Sequence, residues 1–225
     1  MTIRRGDQLE RKAVDAVWST LPLTTLVKGA GDAAPDHVRH AANAIRYRGM
    51  ILVYIELDTD QYTEFDAHYF PELSIPISRL SEPKNYSAAS TPKGRTILCA
   101  ELPGDPGDKH WSMDDDSLGK ALYGWLGACG LPQSAKILRA FTRRLPHAYP
   151  VYDRDYEAHF KTLDDWISGI EGLLTFGRQG LFAHDNTHHA LAMAYGAADC
   201  LKDGVFDRAK WERYRQEFLT HVVED

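Results

Sequence analysis

The stretch Leu173-Leu174-Thr175-Phe176-Gly177-Arg178-Gln179-Gly180-Leu181-Phe182 decides the fold that the sequence predicts. Its first four residues are apolar or β-branched and predict a short strand. Two glycines come directly after that strand, and the residues from Asn186 to Leu201, many of them small, predict a helix. A strand, a glycine-containing segment and a helix therefore follow one another along this part of the chain.

Upstream of this stretch the sequence predicts a sheet. Gly49 to Leu57 is rich in aliphatic residues and predicts a strand. The other predicted strands are Val14 to Trp18, Phe65 to Phe70, Ile75 to Leu80, Thr96 to Leu102 and Ala135 to Leu145, and helices are predicted from Pro35 to Ile45, Leu118 to Cys129, Tyr156 to Ile170 and Asp207 to about Val222. Pro, Ser and Asn between the strands favour antiparallel pairing. The pattern predicts an α+β fold in which helices flank a mostly antiparallel sheet.

The composition is that of an ordinary folded protein of 225 residues, with 44% hydrophobic and 26% charged residues. A formal net charge of -6 argues against binding to nucleic acid or to an anionic membrane surface. The three cysteines are far apart, and the N-terminus has no apolar signal segment, so we expect a reduced, cytoplasmic protein. The longest apolar run, Met50 to Ile55, is too short to span a membrane.

Gly29-Ala30-Gly31-Asp32-Ala33-Ala34 matches a loose dinucleotide-binding pattern, GxGxxA. The residues before it make a poor buried strand, and Pro35 stands where the helix of such a motif would already be running. Glu56, the acid that would bind the ribose, lies farther along the chain than the roughly 20 residues that the motif requires. We expect a surface turn here.

A cluster of histidines precedes the predicted helix at Asn186. His184, Asp185, His188 and His189 form the pattern HDxxHH, in which positions 184 and 188 would share one helix face. Two imidazoles in that arrangement could hold Zn²⁺ or Fe²⁺, but they leave the coordination sphere incomplete. Histidine and aspartate also serve as caps where a loop meets a helix, so we predict no metal site.

Three segments in a fixed order carry a family resemblance. They are Ser19-Thr20-Leu21-Pro22-Leu23; the runs Thr63 to Pro71, Ser81 to Tyr86 and Leu145 to Tyr152; and Gly177 to Phe182 with the helix that follows. Together these segments resemble the protoporphyrinogen oxidase-like FAD-dependent oxidoreductases, a group that includes the amine oxidases and the UDP-galactopyranose mutases. The resemblance covers most of the chain.

The resemblance implies a surface that faces the flavin. In that family the final glycine-arginine segment and the next helix pack against the cofactor. The cofactor-binding residues that it implies are Pro22, Gly177, Arg178, Gly180, Asn186 and Thr187. Arg178 would lie near the isoalloxazine or a substrate anion, because a planar guanidinium suits oxygen acceptors. The N–H groups at the start of the helix near Asn186 would stabilise negative charge on the reduced flavin.

The resemblance also implies a substrate pocket on the sheet, for a small organic molecule. The catalytic residues that it implies are His68, Tyr69 and Tyr152, and the substrate-binding residues are Glu82, Lys84, Asn85 and Tyr149. These residues combine aromatic faces with polar groups, as a ligand pocket requires. The alternative for each of them is a place on an amphipathic sheet whose polar tips are solvated.

The sequence departs from the family in one respect that bears on function. It lacks the glycine-rich motif that holds the ADP half of FAD, and it lacks the acid for the ribose. We therefore expect the substrate-binding half of a split FAD-dependent oxidoreductase, completed by a Rossmann-type FAD-binding chain, with FAD either shared with that partner or lost.

The resemblance also divides the chain into three segments. Residues 1–30 would be a remnant strand and turn of the FAD domain, and residues 31–155 would be the substrate-binding sheet domain with helices. Residues 156–225 would be the flavin-capping C-terminal remnant of the FAD-binding domain.

Two other arrangements are open at this point, because a fold does not fix a function. The chain could act alone as a flavin-independent isomerase, cyclase, lyase or binding protein that reuses the old substrate pocket. It could also be a non-catalytic remnant that self-associates through the surface that the missing half would cover.

Overall fold

The computed structural model describes residues 1–87 and 91–223 of the chain. The strands are β1 (Thr2–Arg5), β2 (Gln8–Arg11), β3 (Val17–Ser19), β4 (Tyr47–Leu57), β5 (Ala67–Tyr69), β6 (Arg79–Ser81), β7 (Thr96–Pro103), β8 (Ile137–Pro150), β9 (Leu173–Thr175), β10 (Leu201–Lys202) and β11 (Val205–Phe206). The helices are α1 (Leu23–Gly29), α2 (Asp36–Ala44), α3 (Asp115–Ala128), α4 (Tyr156–Ser168), α5 (Gly177–Gly180), α6 (Thr187–Asp199) and α7 (Arg208–Phe218), with 3₁₀ turns at Gly31–Ala33 and Pro83–Tyr86. The predicted α+β fold is confirmed.

The chain divides into two compact units. The first unit joins Met1–Arg46 to the described residues from Pro150 onward, and the second unit is Tyr47–Tyr149. Helix α2 packs against α1 and α4 in the first unit, although it falls in the segment 31–155 that the sequence assigned to the sheet domain. The division into three functional segments stays a prediction.

The second unit is built on a five-stranded sheet in the order β5-β6-β7-β4-β8. β4 and β7 run antiparallel from the pair Met50 and Pro103 to the pair Leu57 and Thr96. From Ile51 onward every second residue of β4 is buried, as the period of two in a strand requires: Ile51, Val53, Ile55 and Leu57; Met50 is buried as well. The expected antiparallel sheet is therefore present, with one face closed by a core.

Helix α3 covers that face of the sheet. It begins at Asp114, whose carboxylate accepts a hydrogen bond from the Ser117 N–H at 2.8 Å, an N-cap that satisfies one of the first unpaired donors of the helix. Leu118, Leu122 and Leu126 follow at intervals of four and are fully buried against the sheet. A side chain at Gly119 would place its Cβ only 2.4 Å from the Cβ of Ala140 on β8, so this glycine allows the close contact.

The first unit contains two groups of packed helices. Helices α1, α2 and α4 pack together and bury Leu23, Val27, Val38, Leu163 and Ile167. Helices α6 and α7 enclose a second core that β9 also enters, formed by Leu174, Phe176, Met193, Ala197, Cys200, Trp211 and Phe218. The predicted cap at Asp207 is confirmed, since its carboxylate accepts from the Lys210 N–H at 2.8 Å.

Several boundaries differ from the sequence predictions. β5 and β6 are short strands of three residues, because the segment between them forms turns after Phe70. Leu23–Gly29, which reads as a poor strand, is helix α1, and the hairpins β1–β2 and β10–β11 were not predicted from the sequence.

Within the described residues, every helix is too short or too polar to cross a membrane.

Candidate functional site

Two turns lie side by side in the first unit, at the carboxyl ends of two parallel strands. β3 and β9 are paired in parallel, with Val17 opposite Leu173 and Ser19 opposite Thr175. After β3 the chain turns through residues 20–22 into α1, and after β9 it turns through Phe176 into α5. The carboxyl ends of parallel strands form the crevice where ligands bind in open α/β sheets. We call residues 20–22 and 176–180 the strand-end turns.

One hydrogen bond links the second strand-end turn to the end of β3, and another closes that turn onto the end of β9. The Phe176 N–H donates to the Ser19 carbonyl at 3.1 Å, and the Thr175 hydroxyl donates to the Gly180 carbonyl at 3.2 Å. A Cβ built on Gly180 would lie 2.6 Å from the Thr175 hydroxyl oxygen, closer than real Cβ atoms approach such an atom. Gly177 has φ +80, a left-handed conformation that favours glycine. Both glycines are therefore required by the turn itself.

The remaining cofactor-binding predictions lie on either side of this turn. Pro22 precedes α1, Arg178 is a partly buried residue of α5, and Thr187 is the first residue of α6. Asn186 is the N-cap of α6, and its N–H donates to Nδ1 of His189 at 3.2 Å. The structure thus places Pro22, Gly177, Arg178 and Gly180 in or beside the strand-end turns, and Asn186 and Thr187 at the next helix start. Their role in binding a cofactor stays a prediction.

Tyr152 lies in the same unit and donates its hydroxyl to a backbone carbonyl. The acceptor is the Phe182 oxygen at 3.0 Å, and the Tyr152 ring packs against the rings of Tyr156 and Phe182. Burial of the hydroxyl raises the pKa of Tyr152. A tyrosine in this setting holds its proton at neutral pH, so it suits hydrogen-bond donation better than proton abstraction.

A cavity of about 490 Å³ lies beside the same pair of strands but at their amino ends. Trp18, Leu174, Phe206 and Arg208 line it, together with the segments that precede each strand. It is mainly apolar, and none of the residues predicted to bind cofactor or substrate lines it. Pro22, Gly177, Arg178 and Gly180 lie instead in or beside the strand-end turns.

Glu82, predicted to bind substrate, is a buried carboxylate of the second unit. It is only 3% exposed, and its oxygens accept from the Tyr62 N–H at 2.9 Å, the Thr63 N–H at 3.1 Å and the Thr96 hydroxyl at 2.6 Å. A carboxylate with three such donors from other segments, besides the Asn85 amide at 3.3 Å, holds the loop at residues 62–63 against β7, since charged acceptors form strong hydrogen bonds. Glu82 therefore stabilises the position of this loop.

Lys84 and Asn85 hold the same loops together. The Lys84 ammonium donates to the carbonyls of Asp60, Pro92 and Arg95 at 2.7, 2.6 and 2.8 Å, which uses all three of its protons. The Asn85 amide donates to the carbonyls of Thr63 and Phe65 at 3.0 and 2.8 Å. We call Tyr62, Thr63, Glu82, Lys84, Asn85 and Thr96 the Glu82 cluster. Its polar groups are used within the protein, so a substrate role for these residues stays a prediction without geometric support.

The catalytic predictions in the second unit lie on an edge strand. His68 and Tyr69 belong to β5, and the His68 Nε2 lies 2.9 Å from the Thr63 hydroxyl oxygen. Tyr149 is on β8, at the opposite edge of the five-stranded sheet. With strands about 4.8 Å apart, β5 and β8 are separated by roughly 19 Å along a flat sheet. The structure therefore brings His68 close to the Glu82 cluster and does not bring Tyr149 to them.

One group of polar residues in the first unit has no complete signature in the sequence. His221, just beyond α7, lies with His189 and Asp185, and a ligand-type atom from each falls within 4.8 Å of the others. The HDxxHH pattern contains two of these residues, but His221 is 36 positions from Asp185 and carries no local signal.

The gly-ala-gly stretch behaves as expected from the sequence. Gly29 is the last residue of a helix and Gly31–Ala33 is a 3₁₀ turn, so the segment does not connect a strand to a helix. It therefore lacks the geometry of a dinucleotide-binding loop.

Comparison with known proteins places this fold. No family model matches the chain, and no curated protein matches it. Among solved structures, the chain is similar to a reduced UDP-galactopyranose mutase (TM-score 0.69, 18% identity, 85% of this chain and 41% of that chain). It is also similar to a putative protoporphyrinogen oxidase from Exiguobacterium sp. 255-15 (TM-score 0.55, 17% identity, 80% of this chain and 41% of that chain).

A third similar structure is a fatty acid isomerase from P. acnes that produces CLA (TM-score 0.52, 17% identity, 81% of this chain and 40% of that chain). The chain spans about two fifths of the length of each of these three structures. At these identities the likeness concerns the fold. The chain therefore shares the fold of a part of the proteins that include UDP-galactopyranose mutase and protoporphyrinogen oxidase.

Proposed function

We propose that this chain is the substrate-binding half of an FAD-dependent oxidoreductase that acts on a small organic molecule. A Rossmann-type chain completes it and holds the ADP half of the cofactor. The observation that carries the proposal is the pair of strand-end turns at the carboxyl ends of β3 and β9, which contain or adjoin four of the six residues predicted to bind the cofactor.

The parallel pair itself supports a missing partner. Purely parallel sheets in proteins are large and are buried on both faces, because crossover helices cover them. Among the described residues, β3 and β9 form a parallel sheet of only two strands. Trp18 on β3 is 38% exposed, and its neighbours Val14 and Leu21 are 44% and 52% exposed. Parallel strands from a Rossmann-type domain would extend this sheet and cover the apolar surface.

The residues present fit the ring end of FAD and do not fit its phosphates. At the ring end, Arg178 and the N-terminus of α6 offer donors for carbonyl oxygens and for the negative charge of a reduced flavin. A pyrophosphate needs a glycine-rich turn between a strand and a helix. Within the described ranges 1–87 and 91–223, the one segment that resembles this pattern, Gly29 to Ala34, has the wrong geometry.

The proposal is tested by comparing the binding of FAD with the binding of riboflavin, which has the flavin ring but lacks the ADP half. We expect the isolated chain to bind FAD and riboflavin with affinities within about threefold of each other, since the ADP half meets no site on this chain. Flavin fluorescence or visible absorbance measures the affinity of the chain for each of the two flavins. Arg178→Gln should weaken both ligands to a similar degree, and Arg46→Gln, an exposed arginine of the same unit, is the matched control.

Other results would contradict the proposal. FAD binding that is a hundredfold tighter than riboflavin binding would mean that this chain holds the ADP half itself. Binding of neither flavin, by a chain whose mass in solution shows a stable monomer, would favour the flavin-independent role in the old substrate pocket.

A further inference from the structure

We infer that Asp185, His189 and His221 form a binding site for a divalent transition metal of the zinc type. The three residues come from separate segments of the first unit: the loop before α6, the first turn of α6 and the chain just beyond α7. One ligand atom from each lies within 4.8 Å of the others. We call these residues the Asp185 triad.

The two distances from the Asp185 carboxylate to the imidazole nitrogens are close to those between neighbouring metal ligands. The Asp185 oxygens lie 3.5 Å from Nδ1 of His189 and 3.3 Å from Nδ1 of His221. Strong hydrogen bonds between a charged nitrogen and a carboxylate are shorter, about 2.7–2.9 Å. A tetrahedral zinc ion with bonds of about 2.0–2.1 Å separates its ligand atoms by about 3.3–3.4 Å. Small side-chain movements would bring all three ligands to a common ion.

The charges of the Asp185 triad also favour a cation. Asp185 is only 7% exposed, and the His189 and His221 rings stack on each other with centroids 4.2 Å apart. Both rings lie within 3.5 Å of the Asp185 carboxylate. A metal ion takes two neutral imidazoles and one carboxylate, so it uses all three groups without placing two like charges together.

The surroundings of the triad are compatible with such a site. Phe218 packs against His221 at 5.4 Å between ring centroids and shields one side from water. The His189 Nδ1 accepts the Asn186 N–H at 3.2 Å, a long hydrogen bond that a metal at this nitrogen would replace. Two imidazoles and a carboxylate occur in zinc and iron(II) sites that keep one coordination position for water or substrate.

Titration of the metal-free 225-residue chain with Zn²⁺, followed by calorimetry, tests the site. We expect one Zn²⁺ per chain and a loss of affinity of roughly 100-fold or more in His221→Gln and in Asp185→Asn, because removal of a ligand costs more than removal of a supporting hydrogen bond. The matched controls are His184→Gln and His188→Gln, which remove exposed imidazoles next to the triad and should leave the affinity unchanged. This test does not involve flavin, so its result is independent of the proposed oxidoreductase function.

A second measurement does not depend on loss of binding. His221→Cys should bind Co²⁺ with a sulfur-to-metal charge-transfer band that the parent chain lacks, whereas His188→Cys should not gain that band. Failure of the parent chain to bind Zn²⁺ in a one-to-one ratio would overturn the proposal. So would a site abolished by His184→Gln or His188→Gln but kept in His221→Gln, because the metal would then be bound by the neighbouring histidines and not by the triad.

Discussion

The strand-end turns and the Glu82 cluster both contain residues that the sequence selected for function, yet they are built in different ways. In the Glu82 cluster, Glu82 meets three donors and Lys84 meets three carbonyls, so side chains hold backbone loops in place. In the strand-end turns the backbone itself makes the shape, with Gly177 and Gly180 at positions that reject a side chain.

The difference shows which polar groups the protein already uses. Polar side chains that hydrogen-bond to the protein's own loops rigidify those loops and leave little capacity for a substrate. In the strand-end turns the two glycines are buried and shape the backbone, and they place no side chain between that backbone and the flavin that we propose.

The largest effect is expected for Glu82→Ala. It should lower the free energy of unfolding by about 3 kcal/mol, because the buried donors of Tyr62, Thr63 and Thr96 lose their acceptor. Chemical denaturation measures this change. Glu64→Ala removes an exposed carboxylate from the neighbouring loop and should change stability by less than about 0.5 kcal/mol. If Glu82→Ala kept the stability of the parent chain and lost only ligand binding, Glu82 would be a binding residue, and the contrast between the Glu82 cluster and the strand-end turns would be wrong.

A smaller effect is expected for Gly180→Ala, which tests the other region. The new Cβ would meet the Thr175 hydroxyl oxygen at 2.6 Å, and the strain should cost about 2 kcal/mol and deform the strand-end turns. Flavin binding should fall with it. Gly124→Ala, in the middle of α3 with no atom within 4 Å of its Cβ, should instead gain about 0.5–1 kcal/mol. Equal effects of the two substitutions would show that the turn tolerates a side chain.

The smallest effect is expected for Tyr62→Phe. The Tyr62 hydroxyl donates to the Pro132 carbonyl at 2.8 Å, and its loss should cost about 1 kcal/mol at pH 8. Burial raises the pKa of Tyr62 to about 12, from 10.0 in an unfolded chain. The folded state therefore holds this proton more tightly, and the stability that it contributes is present below pH 10 and is lost as the pH rises to 12.

Urea unfolding of both proteins at several pH values checks this sign. The stability difference between the parent chain and Tyr62→Phe should shrink as the pH rises from 10 to 12. Tyr195→Phe, whose ring is 75% exposed on α6, should stay within about 0.5 kcal/mol of the parent chain at pH 8. A difference that grows above pH 10 would show that Tyr62 titrates in another environment.

Local patterns predicted much of the framework correctly. The aliphatic run in β4 buries every second residue, and Asp207 caps α7, because both features depend on neighbours a few positions apart. Helix α1 was missed, since Leu23–Gly29 contains β-branched residues with weak helix propensity and owes its helical state to packing on α2 and α4.

Contacts between distant segments could not be predicted from local patterns. The sequence showed that Glu82 is charged but not that three donors from two other segments surround it. It showed His189 and Asp185 within one short motif, and gave no sign that His221 joins them after α7. Tyr149 and His68 looked like members of one pocket until the strand order put them at opposite sheet edges.

The sequence alone determined the α+β class, the main strands and helices, and the resemblance in the segment Leu173 to Phe182, because side-chain periodicity and turn residues act over a few positions. Only the tertiary structure decided that Glu82, Lys84 and Asn85 hydrogen-bond within the protein and that Asp185, His189 and His221 lie together. Strand order, loop closure and the return of the chain end to α6 bring residues together over long separations, and burial then sets the cost of each unpaired charge.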